Sequence, residues 1–447
     1  MSSQKCRESI ATLRQEVQDV LTQNILPFWL DKMQDEEHGG FYGQMTGRYE
    51  LNKEADKGAI LNARILWSFS AAYRIIGKLD RQEAHDYLEA ATRAKDYILE
   101  HFWDEEYGGT YWSLDYLGHP KDTKKQFYAL GFMLYGLSEY VRATGDREAM
   151  DYALQLFDCI EEHAFDHEHN GYIEATTCDW QPIADMRLSE LDANYPKSQN
   201  THLHIIEPYT NLLRAMREMQ AAQTCAYVPA IGSVMPIDVA VPPETMIRVE
   251  AALRNLINIF TDHILNPETH HLDLFFEMDW TRGAGQLESY GHDIECSWLL
   301  HEAALVLGDE QVLRKVEPIV QMVAKASEKG LRPDGSMIHE ARLTSGRLQG
   351  RNLDAEYVDD DLHWWVQAEN VVGWINLYQH FGDEEALQRA LHCWDYIKHN
   401  LIDWEHGEWY WSRRKDGTLN LEGDHAGFWK CPYHNSRMCL EIIERFR

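Results

Sequence analysis

The segment DEEHGGFYG (residues 35–43) sets the architecture of this chain, because variants of it return along the whole sequence. The strongest versions join an acidic turn to a glycine and then to aromatic residues. Close copies are DEEYGGTYW (104–112) and DHEHNGYIE (166–174), and weaker ones are NPETHHLDLFFE (266–277), RPDGSMIHE (332–340) and DWEHGEWYW (403–411). Six copies of one unit indicate a repeat architecture.

Pairs of predicted helices lie between these turns. Examples are 57–76 with 82–101, 123–142 with 147–163, and 288–307 with 310–328, and the connectors include TGDRE (144–148), LGDEQ (307–311) and FGDEE (381–385). Apolar residues recur at helical spacing in these segments. The first helix of each pair is richer in aromatic and small residues, and the second carries more charge. This contrast predicts a buried inner ring and an outer ring that faces solvent.

Six helical hairpins closed into a double ring make an all-α (α/α)6 barrel, and we predict this fold for residues 1–447 as a single domain. The glycine turns would form short β-hairpins or loops at one mouth. An open all-α solenoid is the alternative, but six units whose ends can meet favour closure. Residues 220–245 hold four prolines and show no helical period, so we expect a surface insertion there.

The charge balance excludes several classes of partner. The chain has 42 basic and 73 acidic residues, a formal net charge of -31. Nucleic acids and anionic membranes require clustered basic residues, so an uncharged substrate fits better. The first twenty residues lack the apolar core of a signal peptide. The eight cysteines include no CxxC pair, which fits free thiols in a reducing cytoplasm, the location that we expect.

Polar and aromatic residues stand near the start of each predicted inner helix, and in a closed barrel these starts converge at one mouth. In chain order they are Arg64, Tyr128, Asn200, His204, His292, Glu295, Trp298, Trp365, Glu369, Trp429 and His434. Each has an ordinary explanation when taken singly, since a lone histidine is more often a satisfied core or surface residue. Their convergence is what predicts an active site.

Some of these residues suggest particular roles. His292 and Glu295 share one helical face, where a carboxylate would orient the imidazole and raise its basicity, as a general base needs. Arg64 stands among apolar residues, so it either pairs with a buried acid such as Glu369 or binds a ligand oxygen. The tryptophans at helix starts, Trp364, Trp365 and Trp429, are expected platforms for sugar rings, with core packing as the alternative.

Other chemistries fit less well. GAGQLES (283–289) lacks the third glycine of a dinucleotide loop, and the sequence contains neither a Walker motif nor a GxSxG nucleophile elbow. His202 and His204 would point to different sides of a helix. His270 and His271 have no cysteine or carboxylate partners at zinc-site spacing. We therefore expect neither a metal nor a cofactor.

The chain resembles the N-acylglucosamine 2-epimerase family, and within it the cellobiose 2-epimerase branch. The resemblance runs from about Ile25 to Arg437, through PFW (27–29), HGGFYG (38–43), ADKGAILNARILW (55–67), GHDIECSW (291–298), WWVQAE (364–369) and FWKCPYHN (428–435). It implies an (α/α)6 barrel whose chemistry needs neither metal nor nucleotide. It also implies catalytic roles for His292, His434, His204, Arg64 and Glu295, and a substrate site formed by Tyr128, Asn200, Trp298, Trp365, Glu369 and Trp429.

The activity implied by the resemblance is epimerisation at C2 of the reducing-end sugar of a β-1,4-linked disaccharide. Ring opening exposes the C1 aldehyde, which acidifies the C2 proton. A neutral imidazole removes this proton to leave a cis-enediolate, and Arg64 stabilises the oxyanion. A second histidine returns a proton to the opposite face, so that cellobiose becomes glucosyl-mannose.

Four other functions remain open. An aldose–ketose isomerase would return the proton at C1, and an N-acylglucosamine 2-epimerase would act on an acylated monosaccharide. An inverting glycoside hydrolase needs two carboxylates about 6.5–9.5 Å apart, which Glu369 and the Asp359–Asp361 run offer. A noncatalytic carbohydrate-binding or partner-binding protein is the fourth. The expected partner is a small-molecule oligosaccharide, without nucleic acid or membrane, and the chain is expected to be a monomer or a homodimer.

Overall fold

The computed structural model describes residues 3–77, 81–190, 192–226, 242–284, 286–345 and 354–447. The helices are α1 (Ser3–Val20), α2 (Leu26–Lys32), α3 (Ala59–Ile76), α4 (Arg81–Tyr97), α5 (Phe127–Thr144), α6 (Arg147–His163), α7 (Gln199–Ala226), α8 (Pro243–Ile259), α9 (Tyr290–Leu307), α10 (Glu310–Ser327), α11 (Trp364–Phe381), α12 (Glu384–Asn400) and α13 (Tyr433–Arg445). A π-helical turn, Leu21–Ile25, joins α1 to α2, and similar turns extend α4 (Ile98–Phe102) and α8 (Phe260–Ile264). The 3₁₀ turn Glu328–Gly330 follows α10.

Two concentric rings of helices form an (α/α)6 barrel. The inner helices pack in the order α3, α5, α7, α9, α11 and α13, and α13 packs on α3 to close the ring. The outer helices α4, α6, α8, α10 and α12 each pack on the inner helix that precedes them in the chain, and α1 packs on α13. The first helix therefore completes the outer ring beside the last, and the open solenoid is excluded.

Burial confirms the predicted contrast between the two rings. In the inner helix α5 every residue from Phe127 to Val141 is buried. The outer helix α6 buries one stripe at three- and four-residue spacing, which consists of Ala149, Met150, Ala153, Leu156, Phe157 and Ile160. A helix enclosed on several sides needs apolar or paired residues all round, whereas an outer helix needs only one apolar face.

Short antiparallel strands line the mouth where the inner helices begin. They are β1 (Gln44–Met45), β2 (Leu51–Asn52), β3 (Lys57–Gly58), β4 (Ser113–Leu114), β5 (Pro120–Asp122), β6 (Lys125–Gln126), β7 (Ala175–Thr176), β8 (Lys197–Ser198), β9 (Phe275–Phe276), β10 (Glu288–Ser289), β11 (Glu340–Ser345), β12 (Asp354–Asp359), β13 (Leu362–His363) and β14 (Ser412–Arg413). They pair as β1–β2, β3–β4–β5, β6–β7, β8–β9, β10–β11–β12 and β13–β14. The strands β3 and β10 occupy the first two residues of segments predicted as helices, and β6 occupies the third and fourth. The helices α3 and α9 therefore begin two residues later than predicted, and α5 begins four residues later.

The acidic residue that opens each strong repeat turn has a structural role. In the first turn, Asp35 Oδ1 accepts the backbone N–H groups of Glu37 and His38, and its Oδ2 accepts from the buried Lys57 at 2.8 Å. The next two turns repeat this pairing, with Lys125 donating to Asp104 at 2.6 Å and Lys197 donating to Asp166 at 2.7 Å. Each turn is thereby fastened to the strand that leads into the next inner helix.

The predicted insertion at 220–245 has helical ends. The inner helix α7 continues to Ala226 and the outer helix α8 begins at Pro243, while residues 227–241 lie outside the described residues. Across the described ranges, no helix combines the length and the apolar character that a membrane crossing requires.

Candidate active site

A cavity of about 430 Å³ opens at the mouth of the barrel where the inner helices begin. Nine of the eleven predicted site residues line it, namely Arg64, Tyr128, Asn200, His204, His292, Glu295, Trp365, Trp429 and His434. The other two, Trp298 and Glu369, are fully buried behind the cavity wall. The barrel therefore brings the predicted residues together, eight of the nine from the first two turns of inner helices and Trp429 from the segment before α13.

Five histidines line this cavity, and three of them, His204, His292 and His434, come from inner helices and are each held through the Nδ1 atom. His434 Nδ1 lies 2.7 Å from Glu369 Oε1, His204 Nδ1 lies 2.9 Å from Glu207 Oε2, and His292 Nδ1 lies 2.7 Å from Ser289 Oγ. Within the described part of the chain, their Nε2 atoms have no hydrogen-bond partner. When Nδ1 carries the proton, each Nε2 offers a lone pair to a molecule in the cavity.

The surroundings keep these imidazoles neutral. Burial lowers the pKa of His434 well below its ordinary value, and the positive charges of Arg64 and Arg437 lower it further. Burial also lowers the pKa of His292 well below its ordinary value, with smaller contributions from neighbouring histidines. Neutral imidazoles at the cavity wall are suited to remove a proton from a carbon acid.

The prediction that Glu295 orients His292 is wrong. Ser289, just before α9, holds His292, whereas Glu295 Oε1 accepts from Arg437 Nη2 at 2.7 Å and lies 4.0 Å from His434 Nδ1. A spacing of three residues places both side chains on one face of α9. However, α9 is packed on several sides, and Glu295 turns towards α13 instead of towards His292.

Arg437 connects the carboxylates behind the cavity, and the sequence analysis missed it. Its Nη2 donates to Glu295 and to Glu369, each at 2.7 Å, and its Nη1 donates to Glu207. One buried guanidinium thus joins the carboxylates that hold His204 and His434. A signal was present in the sequence, because Glu207 follows His204 by three residues and Arg437 follows His434 by three.

This buried cluster holds more carboxylates than cations. Burial, and then the charge of Glu369, raise the pKa of Glu295 well above its ordinary value, although Arg437 opposes the rise. Glu369, rather than Glu295, lies within hydrogen-bond distance of His434 Nδ1, at 2.7 Å against 4.0 Å. Glu369 is therefore the carboxylate placed to stabilise an imidazolium at His434.

The surroundings of Arg64 decide between the two roles that the sequence allowed, an ion pair with a buried acid or binding of a ligand oxygen. Its Nη2 donates to the Tyr128 hydroxyl at 3.0 Å, and its guanidinium lies over the rings of Phe132 and Tyr433, at 4.2 and 4.7 Å from their centroids. It makes no ion pair with a carboxylate of the described residues, and its Nε has no hydrogen-bond partner. The predicted pairing with Glu369 is wrong, and Arg64 is a buried cation with room for an anionic oxygen.

The tryptophans divide into two groups. The ring of Trp365 lies 5.0 Å from that of His292 and 5.6 Å from that of His434, so it forms the part of the cavity wall beside both histidines. Trp429 lines the same cavity 6.0 Å from Tyr128. Trp298, which the resemblance placed in the substrate site, instead donates its Nε1–H to Glu369 Oε2 at 2.9 Å from within the core.

A second lobe of about 420 Å³ adjoins the first. The two lobes share the segment around Ser189 and Asp192. Several buried polar atoms without a partner lie along the second lobe, including Gln199 Oε1 and Nε2 and Glu174 Oε1. This wall could not be predicted from the sequence, because the segment before α7 is irregular and its apolar residues do not recur at a regular spacing.

The carboxylates proposed for a hydrolase are occupied. Glu369 is buried and accepts hydrogen bonds from Trp298, His434 and Arg437. Asp359 accepts from His339 at 3.0 Å and from His363 at 3.2 Å. Glu369 therefore has no solvated oxygen to offer as an acid or base, and Asp359, although partly exposed, is already held by two histidines.

The chain is similar to known proteins over nearly its whole length. The family model described as N-acylglucosamine 2-epimerase matches residues 39–208 and 248–436. A cellobiose 2-epimerase of Bacteroides fragilis is 53% identical over 431 residues, which span 96% of this chain and 98% of that protein. The solved structure of cellobiose 2-epimerase from Bacillus thermoamylovorans B4167 has a TM-score of 0.82 and 37% identity, and covers 97% of this chain and 100% of that one.

A more distant likeness concerns the fold alone. The solved structure of a D-mannose isomerase has a TM-score of 0.76 at 18% identity, and covers 96% of this chain and 97% of that one.

Proposed function

The chain belongs to the N-acylglucosamine 2-epimerase family, and we propose that it interconverts glucose and mannose units at the reducing end of β-1,4-linked disaccharides such as cellobiose. The family membership that the motifs implied is thereby confirmed, and the chain is an isomerase. The observation that carries the proposal is the placement of two neutral histidines, His292 and His434, in one cavity, with their rings 5.0 and 5.6 Å from that of Trp365.

The first chemical step is loss of the C2 proton from the open-chain sugar. His434 is the stronger candidate for the base, because the carboxylate of Glu369, 2.7 Å from its Nδ1, stabilises the imidazolium that forms. The proton passes from C2 to His434 Nε2. The electrons of the C2–H bond form the C1–C2 double bond, and the carbonyl electrons move to O1. The product of this step is a cis-enediolate.

Arg64 and Tyr128 are placed to stabilise the charge on the enediolate. Arg64 is a buried cation without a carboxylate partner in the described chain, and it holds the Tyr128 hydroxyl at 3.0 Å. A cation fixed in place before the reaction loses little energy to reorganisation, which makes it effective at a developing oxyanion. The same charge disfavours an imidazolium at His434 before the substrate reacts.

Inversion requires a proton from the other face of the enediolate. His292 is the candidate donor, since it faces the same cavity and Ser289 fixes its ring. The negative charge of the enediolate offsets the burial that keeps His292 neutral, so His292 takes up a proton from solvent as the intermediate forms and then delivers it to C2. His434 afterwards releases its proton to solvent. In the reverse direction the two histidines exchange roles.

The adjoining lobe supports a disaccharide rather than a monosaccharide. It extends the reaction chamber by about 420 Å³, and its lining includes polar side chains such as Ser189, Asp192 and Asn200 that suit sugar hydroxyls.

A product assay on cellobiose tests this proposal. The purified protein is incubated with cellobiose, and the products are separated by chromatography. We expect glucosyl-mannose. Glucosyl-fructose as the main product would show an aldose–ketose isomerase, and free glucose would show a hydrolase. Turnover of N-acetylglucosamine without turnover of cellobiose would move the substrate to the acylated monosaccharide.

A further inference from the structure

Three metal-ligating side chains converge at the wall shared by the two lobes. His339 precedes β11, Asp359 ends β12 and His363 ends β13. His339 Nδ1 and His363 Nε2 lie 3.0 and 3.2 Å from Asp359 Oδ2, and one ligand atom from each residue lies within 4.8 Å of the others. All three side chains are partly exposed, so an ion can reach them from the cavity.

These separations match the edges of a coordination polyhedron. Zinc holds nitrogen and oxygen ligands at about 2.0–2.2 Å, so ligands about 90–109° apart are about 3.0–3.4 Å from each other. Both contacts to Asp359 fall within this range. Two imidazoles and one carboxylate, without a thiolate, suit Zn²⁺, Co²⁺ or Fe²⁺ and leave positions open for water.

The surroundings of His339 Nε2 also suit a histidine that binds a metal ion through Nδ1. Its Nε2 is buried without a hydrogen-bond partner and lies 3.9 Å from Glu340 Oε2. When Nδ1 binds an ion, the ring proton moves to Nε2, where this neighbouring carboxylate is near enough to attract it. Ligating histidines commonly direct their other N–H group at a carboxylate in this way.

One other cluster in the described residues has comparable spacing, but its centre is occupied. Glu295, Glu369 and His434 place one ligand atom each within 4.8 Å of the others. Arg437 Nη2 donates to both carboxylates at 2.7 Å and so takes the place of a cation. Of these two clusters, only His339, Asp359 and His363 therefore leave space for a metal ion.

We propose that His339, Asp359 and His363 bind a divalent transition-metal ion such as Zn²⁺, and that the bound ion inhibits the enzyme. The inhibitory part rests on the proposed epimerase function, whereas binding does not. The ring of His339 lies 6.2 Å from that of His292 and 5.3 Å from that of Trp365. An ion with its water ligands at this wall narrows the chamber in which the sugar must reach His292.

Binding is tested by isothermal titration of Zn²⁺ into protein treated with EDTA and then freed of the chelator. Wild type should bind one ion, and His363→Gln and Asp359→Asn should each weaken binding at least tenfold. His119→Gln is the matched control, because His119 forms an exposed pair with Asp115 at 3.2 Å without a second histidine; it should bind as wild type does. Circular dichroism shows that each variant is folded.

Cobalt gives an independent readout for the same site. Co²⁺ bound through nitrogen and oxygen ligands has visible absorption bands that change with its ligands. Wild type should develop these bands, and His363→Gln should lose them or shift them. Absence of zinc binding at micromolar concentrations, or equal binding by wild type, His363→Gln and Asp359→Asn, overturns the proposal.

Inhibition is measured as kcat and KM on cellobiose with and without Zn²⁺, each variant being compared with its own zinc-free rate. Zinc should raise the apparent KM of wild type and His119→Gln, and EDTA should reverse the effect. The zinc-dependent rise in apparent KM should be at least tenfold smaller for His363→Gln. Zinc binding without any effect on wild-type turnover overturns the inhibitory part. A protein with no epimerase activity but with site-dependent zinc binding overturns the proposed function and leaves the metal site standing.

Discussion

Replacing Glu369 with glutamine tests how His434 becomes a base. The carboxylate of Glu369 accepts from His434 Nδ1 and Arg437 at 2.7 Å and from Trp298 Nε1 at 2.9 Å. The substitution keeps the volume but removes the charge that stabilises the imidazolium. With the two charges centred about 4 Å apart and an effective dielectric constant of about 20, their attraction is about 4 kcal/mol. That corresponds to about a 10³-fold loss of kcat/KM.

The amide also leaves one donor unmatched, and a second variant separates this effect from the loss of charge. If the amide oxygen serves His434 and Arg437, its NH₂ group faces the N–H of Trp298. The double variant Trp298→Phe/Glu369→Gln removes this conflict but not the loss of charge. Its kcat/KM should therefore stay about 10³-fold below that of Trp298→Phe, which keeps the carboxylate.

The assay measures kcat/KM on cellobiose together with thermal unfolding of each variant. Arg437 retains Glu207 and Glu295 as partners, so the loss of one charged hydrogen bond should cost about 1.5–3 kcal/mol and leave the protein folded. Glu207→Gln is the matched control, because it makes the same change beside His204, and it should lower kcat/KM less. A folded Glu369→Gln variant within threefold of wild type would refute the assignment of His434 as the base.

Other expected outcomes concern the sugar platform, the effect of pH and the need for a metal. Trp365→Ala should lower kcat/KM for cellobiose and for mannose by similar factors, because the ring contacts both His292 and His434; a loss confined to the disaccharide would place Trp365 at the non-reducing sugar. Burial lowers the pKa of His202 to about 3, and its ring accepts a hydrogen bond from the Tyr172 N–H. Between pH 6.5 and about 3, His202 therefore binds a proton in the unfolded state but not in the folded state. The free energy of unfolding should then fall with decreasing pH in that window, by up to about 1.4 kcal/mol per pH unit from this residue; urea titrations of wild type and His202→Gln with equal pH slopes would contradict this. Activity should survive exhaustive chelation by EDTA, and loss of turnover that a divalent ion restores would reveal a required metal.

The sequence predicted the barrel because its repeats encode both rings. The turn residues Asp35, Asp104 and Asp166 mark the ends of units, and the apolar inner helices differ visibly from the striped outer ones. The same periodicity placed the polar residues of the helix starts at one mouth. Nine of the eleven predicted site residues consequently line one cavity.

The directions of side chains could not be predicted in the same way. Helical spacing put Glu295 beside His292. Inside a closed ring, however, a side chain can also contact neighbouring helices, and the Glu295 carboxylate pairs with Arg437 on α13. Ser289 holds His292 from a two-residue strand that carries no period. His339 just before β11 and Asp359 at the end of β12 meet only because these two strands pair, and the sequence does not reveal that pairing.

Epimerisation of cellobiose in D₂O tests the central claim that two histidines transfer protons at opposite faces of C2. The reaction is stopped at a few per cent conversion, and C2 of the product is examined by proton NMR. Because the proton that His292 or His434 delivers exchanges with solvent, the glucosyl-mannose formed should carry deuterium at C2, while recovered cellobiose should retain its proton. Product that keeps the original proton at C2 would show that one group returns the proton it removed, and would contradict the two-histidine account.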